Sequence, residues 1–274
     1  MELLLELLKA ALLGVVQGVT EWLPISSTGH MILLDEVLSL DVSENFMSMF
    51  RVVIQLGSIL AVLVLYFHRL NPFSPRKSAA EKKTCFSLWG KILLAVIPAG
   101  VAGVLLDDWL DAHLYNYITV AVTLIVYGVA FIVIERVNKN KKPRCAEVDD
   151  IRPSTALKIG CFQMLSLIPG TSRSGSTILG GMLCGVARPA GAEFSFFLAL
   201  PVMLGASLLK LLKFGFSFTG EELAILAVGT AVAFLVSLAA IRFLVSFVRR
   251  HSFEAFGWYR IALGVLVLVC FLFR

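Results

Sequence analysis

The chain has 274 residues, of which 58% are hydrophobic and 16% charged, with a mean hydropathy of +0.87 and a formal net charge of +5. That balance excludes a globular domain with a wetted surface and describes an all-α polytopic membrane protein. The positive charge calls for no nucleic-acid partner, because the basic residues crowd into connections where membrane topology and contact with membrane lipids account for them.

In chain order, the first apolar region spans 3–34 and is broken by a polar stretch. Glu2 and Glu6 flank its leading leucines in place of a basic region and cleavage site, so it is expected to stay in the mature protein rather than leave as a signal peptide. Apolar runs long enough to cross a bilayer follow at 50–67, 91–106 and 117–134. A second interrupted region occupies 157–187, and three further spans lie at 193–213, 223–245 and 255–273. Cys85, Cys145, Cys161, Cys184 and Cys270 have neither metal spacing nor a pairing pattern and receive no chemistry.

Lysine and arginine concentrate in three connections: Arg69 to Lys83, Arg136 to Lys158, and Arg249 with Arg250. By the positive-inside rule these face the cytoplasm. The alternating connections are acidic and face outward: Asp35, Glu36, Asp41 and Glu44, then Asp107, Asp108 and Asp111, then Glu221 and Glu222. Six full crossings then require 3–34 to begin and end outside, and 157–187 to begin and end inside. Both regions read as re-entrant helical pairs. One integral domain, 1–274, is thus expected to hold two oppositely oriented repeats, about 1–137 and 151–274. An inverted-topology repeat of this kind puts its broken helices at a shared midplane site. "ISSTG" at 25–29 echoes "TSRSG" at 171–175, and Gln17 and Gln163 each precede the shared glycine by twelve residues.

Irregular backbone at membrane depth survives only where protein or water satisfies it, so the two breaks are expected to line a cavity. In "QGVTEWLPISSTGH", Gln17 and Glu21 share a helical face, Pro24 stops the helix, and Ser26, Ser27 and Thr28 offer caps for the next one, with His30 in its opening turn. "PGTSRSGSTILGG" repeats the device, with Pro169 as the stop, Ser172 or Ser174 as the cap, Thr177 in the first turn and Arg173 added. Free amides at two helix starts, hydroxyls around them and a guanidinium make an anion site that suits phosphate. Membrane hydroxyls often merely bond back to their own helix, and the alternative reading of Glu21 and Arg173 is simple pairing with each other, without chemistry. The functional reading gives Arg173 and the amides the phosphoryl charge, His30 or Ser27 the attack or its activation, and Glu21 the orientation of the base or a divalent cation. Glu193 reads as an interfacial charge.

At these residues the chain resembles the undecaprenyl-diphosphate phosphatases of the bacitracin-resistance (BacA/UppP) family. The family's (E/Q)xxxE pattern is met by Gln17 and Glu21, its SSTGH by residues 26–30 and its PGxSRSxxT by Pro169 through Thr177, while "VIQLGSILAV" at 53–62 and "EFSF" at 193–196 are also similar to family segments. The resemblance implies a multi-pass enzyme of the bacterial plasma membrane, its site open to the outer face. Such an enzyme removes the terminal phosphate of an isoprenoid diphosphate lipid, recycles the carrier for cell-wall synthesis and confers bacitracin resistance. It implies Glu21, Ser27, His30 and Arg173 as catalytic residues and Ser26, Thr28, Ser172, Ser174 and Thr177 as phosphate ligands. A divalent cation, Mg²⁺ or Ca²⁺, is implied as cofactor, held by Glu21 with Gln17. Gln17 is the neutral option of the pattern and leaves Glu21 the only acid of the first motif. Unrelated type-2 phosphatidic acid phosphatases carry a histidine six residues after their motif arginine, where this chain has Leu179, so a histidine here must come from the first motif. Ser27 and His30 both remain open as nucleophile. A homodimer is the one protein partner left open. The rival from another class is a lipid-phosphate transporter using the same anion site, and a purely structural scaffold is a third reading.

Overall fold

A computed structural model describes residues 2–35 and 38–272. Among them there are twelve α-helices and no strand, only an isolated bridge between Cys145 and Val186. The helices are α1 (Glu2–Thr20), α2 (Ser27–Asp35), α3 (Glu44–Val53), α4 (Gln55–Leu65), α5 (Phe67–Leu70), α6 (Ala79–Leu114), α7 (Tyr117–Asn138), α8 (Pro153–Met164), α9 (Arg173–Leu183), α10 (Arg188–Phe214), α11 (Gly220–Arg250) and α12 (Glu254–Leu272). Helix starts follow local chemistry. Capping boxes open α6 (Ser78 with Glu81) and α11 (Thr219 with Glu222), and Asn116 caps α7 by accepting from the Thr119 N–H at 2.9 Å.

Seven of these segments are long and apolar enough to cross a membrane, which makes the chain a multi-pass membrane protein. Six coincide with the expected spans; the 50–67 span consists of α3 and α4, stacked end to end at Ile54. The seventh is α1, which the sequence reading assigns to an interrupted pair. The connection expected around Asp107 to Asp111 is instead helical, since α6 runs to Leu114. No proline or glycine stands between Val104 and Leu114, so nothing ends the helix when the apolar window does. Exposed apolar side chains such as Val104, Leu105, Leu209 and Leu235 clothe the outside, as a lipid-solvated surface requires.

Because lipid tails are as apolar as leucine, helices in a membrane hold together by close packing at small residues. α7 lies along α12, α1 along α11, and α8 along α6. At the α7–α12 crossing Gly128 and Gly257 face each other, and a Cβ on either would stand 2.7 Å from the other's carbonyl oxygen. Gly14 of α1 meets the Gly229 carbonyl of α11 in the same way, and Gly160 of α8 meets the backbone of Ala95 in α6.

Gly128→Val is therefore expected to force the α7–α12 crossing apart and destabilise the fold by about 1–3 kcal/mol. Gly90→Ala, where a Cβ meets nothing within 4 Å, should leave stability unchanged or raise it. Thermal unfolding of the two detergent-solubilised variants, side by side, checks this.

Candidate active site

α1 ends at Thr20, four residues before Pro24. Proline has no N–H to continue the ladder and pushes the preceding residue out of the α region. Glu21 still donates its N–H to the Gln17 carbonyl at 3.1 Å, so the two side chains stay on one face, and the Gln17 amide donates to Glu21 Oε2 at 3.0 Å. α8 similarly gives way after Met164 to a 3-10 turn, and Ile168 is extended before Pro169.

The two breaks then end alike. Among the described residues, Ser26 and Ser172 are the positive-φ residues other than glycine, at 71° and 72°. A left-handed backbone on a side-chain-bearing residue stores strain that surroundings must impose. Each serine caps the helix it precedes: Ser26 Oγ accepts from the Gly29 N–H at 3.3 Å, and Ser172 Oγ accepts from the Gly175 N–H at 3.2 Å. Ser172, of the two expected alternatives, is thus the cap of α9, and Ser174 lies beyond it with its Oγ 3.1 Å from that of Ser172. Gly170 has a φ of +86°, and a Cβ there would press on the Val120 carbonyl at 2.7 Å.

Glu21 and Arg173 join the breaks. Arg173 Nη2 donates to Glu21 Oε1 at 3.0 Å, both side chains being more than nine-tenths buried. Arg173 Nη1 donates to the Ser195 carbonyl at 2.7 Å, and its guanidinium lies 5.8 Å from the Trp22 ring centre. Thr177 sits one turn into α9 rather than in its opening turn. Its hydroxyl is 2.9 Å from the Arg173 carbonyl and 2.7 Å from Ser195 Oγ, so Arg173 and Thr177 share Ser195 as a neighbour. Removing one partner of a buried ion pair strands the other charge, at a cost of about 3–5 kcal/mol.

Arg260 of α12 performs the second joining. Fully buried, it donates from Nη1 to the Pro24 carbonyl at 3.1 Å, and from Nη2 to the carbonyls of Gly170 and Thr171 at 2.9 and 3.0 Å. One guanidinium thus satisfies backbone oxygens of both breaks while resting 5.5 Å from the Tyr127 ring centre.

His30 and Ser27 occupy the first turn of α2. His30 Nδ1 lies 2.7 Å from the Ser26 carbonyl, which only accepts, so Nδ1 carries the proton. Nε2 then presents its lone pair to the Tyr259 hydroxyl, 2.7 Å away, and the two rings stack at 5.7 Å. Ser27 and Thr28 are half-buried, and their hydroxyls form no hydrogen bond among the described residues. The structure therefore gathers Gln17, Glu21, Arg173 and Thr177 into one network. Ser26, Ser172 and Ser174 stand beside it at the break ends, where Ser174 Oγ is 3.4 Å from the Leu23 carbonyl. His30 is tied in through the Ser26 backbone and through Tyr259, the neighbour of Arg260. Glu193 pairs instead with Arg69, at 2.9 Å.

Arg260, Ser195 and Tyr259 stand at the site without having been expected there from the sequence. A signal existed for Arg260: an arginine inside the apolar run 255–273 is as costly as Arg173 and raises the same question. Ser195 lay in the "EFSF" segment, but a serine in an apolar helix does not announce a partner. Tyr259 had no signal, since an aromatic in such a span reads as packing.

Polar atoms without a protein partner concentrate here too. Trp22 Nε1, both polar atoms of the Gln163 amide, Thr171 Oγ1, Arg173 Nε and Arg260 Nε are buried and unpartnered among the described residues. Buried polar groups are nearly always satisfied, so this concentration marks a place built for a polar occupant. Residues for a preformed cation site are a poorer fit. Both Glu21 oxygens already accept from Arg173 and Gln17, and no group of three or more His, Cys, Asp or Glu forms among the described residues.

Comparison with known proteins places the chain in a family. The family model described as bacitracin resistance protein BacA matches residues 10–266. A protein of Enterococcus faecalis named undecaprenyl-diphosphatase is 56% identical over 268 residues, covering 97% of each chain. Proteins with the same name from Lactiplantibacillus plantarum and Desulfitobacterium hafniense are each 57% identical, over 97% and 98% of this chain and 98% and 97% of their own. With both breaks inside the matched region and similarity running the length of the molecule, the chain belongs to the BacA bacitracin resistance family.

Proposed function

We propose that the chain is an undecaprenyl-diphosphate phosphatase, hydrolysing the terminal phosphoanhydride bond to leave undecaprenyl phosphate and inorganic phosphate. The observation that carries this reading is the buried Glu21–Arg173 pair, which brings the acid of one break against the cation of the other. The activity named for relatives 56–57% identical supports it. Recycling the carrier lipid serves cell-wall synthesis, and consuming the diphosphate that bacitracin sequesters gives resistance.

In this reading the terminal phosphoryl group takes the place of Glu21 as the partner of Arg173, whose planar donors match its oxygens. The first N–H groups of α2 and α9, with the hydroxyls of Ser26, Thr28, Ser172, Ser174 and Thr177, bind the remaining oxygens. Ser27 is the nucleophile: its hydroxyl is uncommitted, whereas His30 has Nδ1 protonated against the Ser26 carbonyl and Nε2 as an acceptor towards a hydroxyl, the arrangement of a general base. With the Tyr259 hydroxyl turned aside, His30 Nε2 accepts the serine proton as Ser27 Oγ attacks phosphorus and passes it to the departing lipid monophosphate. Water then attacks the phosphoserine, and His30, neutral again, takes its proton and returns it to Ser27 Oγ as phosphate departs. Electrostatic positioning supplies most of the rate, as is general for phosphoryl transfer. Mg²⁺ or Ca²⁺ would arrive chelated by the substrate's own diphosphate, with Glu21 as the single carboxylate contact.

The architecture belongs to the same proposal: an inverted repeat in which α1–α2 and α8–α9 are re-entrant pairs. Matched strain at Ser26 and Ser172 supports it, as does the exchange of partners, α1 with α11 and α8 with α6. Gly14 and Gly160, each fifteen residues before the shared glycine, both lie at those crossings. The basic connections set the orientation, with the site opening to the outer face.

Arg173→Lys is expected to lower kcat by about 10²–10³, because an ammonium lacks the paired donors; phosphate release from farnesyl or undecaprenyl diphosphate measures it. Ser27→Ala and His30→Ala should each abolish release. A phosphoryl group trapped on the enzyme should survive an acid quench, as phosphoserine does. An acid-labile adduct would instead assign the attack to His30, and lipid translocation without phosphate release would sink the hydrolase reading. For topology, in a background with the native cysteines replaced, His113→Cys should react with an impermeant thiol reagent from outside and Lys141→Cys should not; the opposite labelling would invert the orientation.

A further inference from the structure

A cavity of about 1080 Å³ lies away from the two breaks. It lies among the end of α7, the connection to α8, the far end of α9 and the start of α10. Eight basic side chains and two acids line it. Both acids are committed. Glu135, buried, accepts from Arg188 Nε at 2.8 and 3.0 Å, from Arg188 Nη2, and from the Phe253 N–H at 2.7 Å. Asp150 Oδ2 accepts from the backbone N–H groups of Ala146 and Glu147 at 3.1 and 2.9 Å.

That leaves Lys139, Lys141, Lys142 and Arg144 of the connection, Arg152 and Lys158 at α8, and Arg249 of α11. None has a carboxylate within ion-pair distance among the described residues. Scattered over a surface such charges are ordinary; gathered around one concavity they repel one another and focus a positive potential inside it. Two helix starts add to that potential. The residues preceding α8 and α10 are Arg152 and Ala187, neither of which supplies a side-chain cap, and Ser154, Thr155 and Arg188 from those first turns line the cavity. The volume is at the upper end of the small-ligand range, roughly 300–1,000 Å³.

We propose that this cavity is a second anion site, binding a phosphate-bearing molecule with at least two negative charges, separate from the Glu21–Arg173 site. The molecule is either the head group of an anionic phospholipid at the membrane surface or a soluble polyphosphate compound; the recognising chemistry is the same. Met182 and Leu183 in its wall are the last residues of the helix that begins at Arg173, Cys184 and Gly185 follow directly on it, and Arg188 stands two turns before Ser195. An occupant therefore touches the far ends of both helices that hold the catalytic arginine.

The test uses the full chain and the triple variant Lys141→Ala, Arg144→Ala, Lys158→Ala, whose changed residues are exposed and outside the active site. In detergent, tripolyphosphate binding is followed by calorimetry for the parent, the triple variant and Arg173→Ala. In nanodiscs, retention of phosphatidylglycerol over phosphatidylcholine is followed by native mass spectrometry for the same proteins. The triple variant is expected to weaken binding by on the order of tenfold or more, a few-fold for each exposed charge removed, while Arg173→Ala retains it. Loss in the tripolyphosphate arm identifies a soluble occupant, and loss confined to the nanodisc arm identifies a lipid. Binding that survives the triple variant, disappears with Arg173→Ala, or is absent from both arms overturns the proposal.

Discussion

Backbone that leaves the helix inside a membrane must find hydrogen-bond partners within the protein, and the two breaks meet that constraint through arginine. Arg260 donates to carbonyls on both breaks, and Arg173 reaches across to Glu21 and Ser195. Each guanidinium is itself expensive to bury, so each is held by several acceptors and an aromatic face at once. The strained serines, the glycine at position 170 and the capped starts of α2 and α9 are tolerable because these contacts over-determine their positions.

The two halves do not contribute the same chemistry. Glu21 stands eight residues before the shared glycine of its half, where the other half has Leu167; Arg173 stands two residues before its glycine, where the first half has Ser27. One break thus brings the acid, the serine and the histidine, and the other brings the arginine. Neither half alone holds a complete set, which gives the cross-break ion pair its importance. The bland alternative of simple pairing between Glu21 and Arg173 describes the contact correctly but not its setting. A pair formed only for charge balance does not need unpartnered polar atoms on Trp22, whose ring Arg173 faces, and on Thr171, two residues from Arg173. The halves differ at the matched glutamines too: Gln17 is engaged by Glu21, while the buried amide of Gln163 has no partner among the described residues.

Polar groups that pair with neighbours in sequence are easy to foresee, and those that pair across the fold are not. The Gln17–Glu21 contact follows from a four-residue spacing on one helix, and the caps from serine before a helix-starting turn. The Arg173–Ser195 contact, the clamp by Arg260 and the His30–Tyr259 stack join residues from 22 to 236 positions apart, and no local pattern encodes them. The basic cavity is of the same kind: its lysines were visible as a charged connection, but their arrangement around a concavity depends on where α8, α9 and α10 come together.

By itself the sequence determined the solvent, the helical class, the positions of the two polar breaks and the motifs that tie the chain to its family. Each of these depends on composition or on spacing within one turn or one helix. Tertiary structure alone decided which buried charges meet, which nitrogen of His30 carries its proton and which arginine holds both breaks in place. The physical reason is that burial leaves a charge few partners, and packing, rather than proximity along the chain, selects among them.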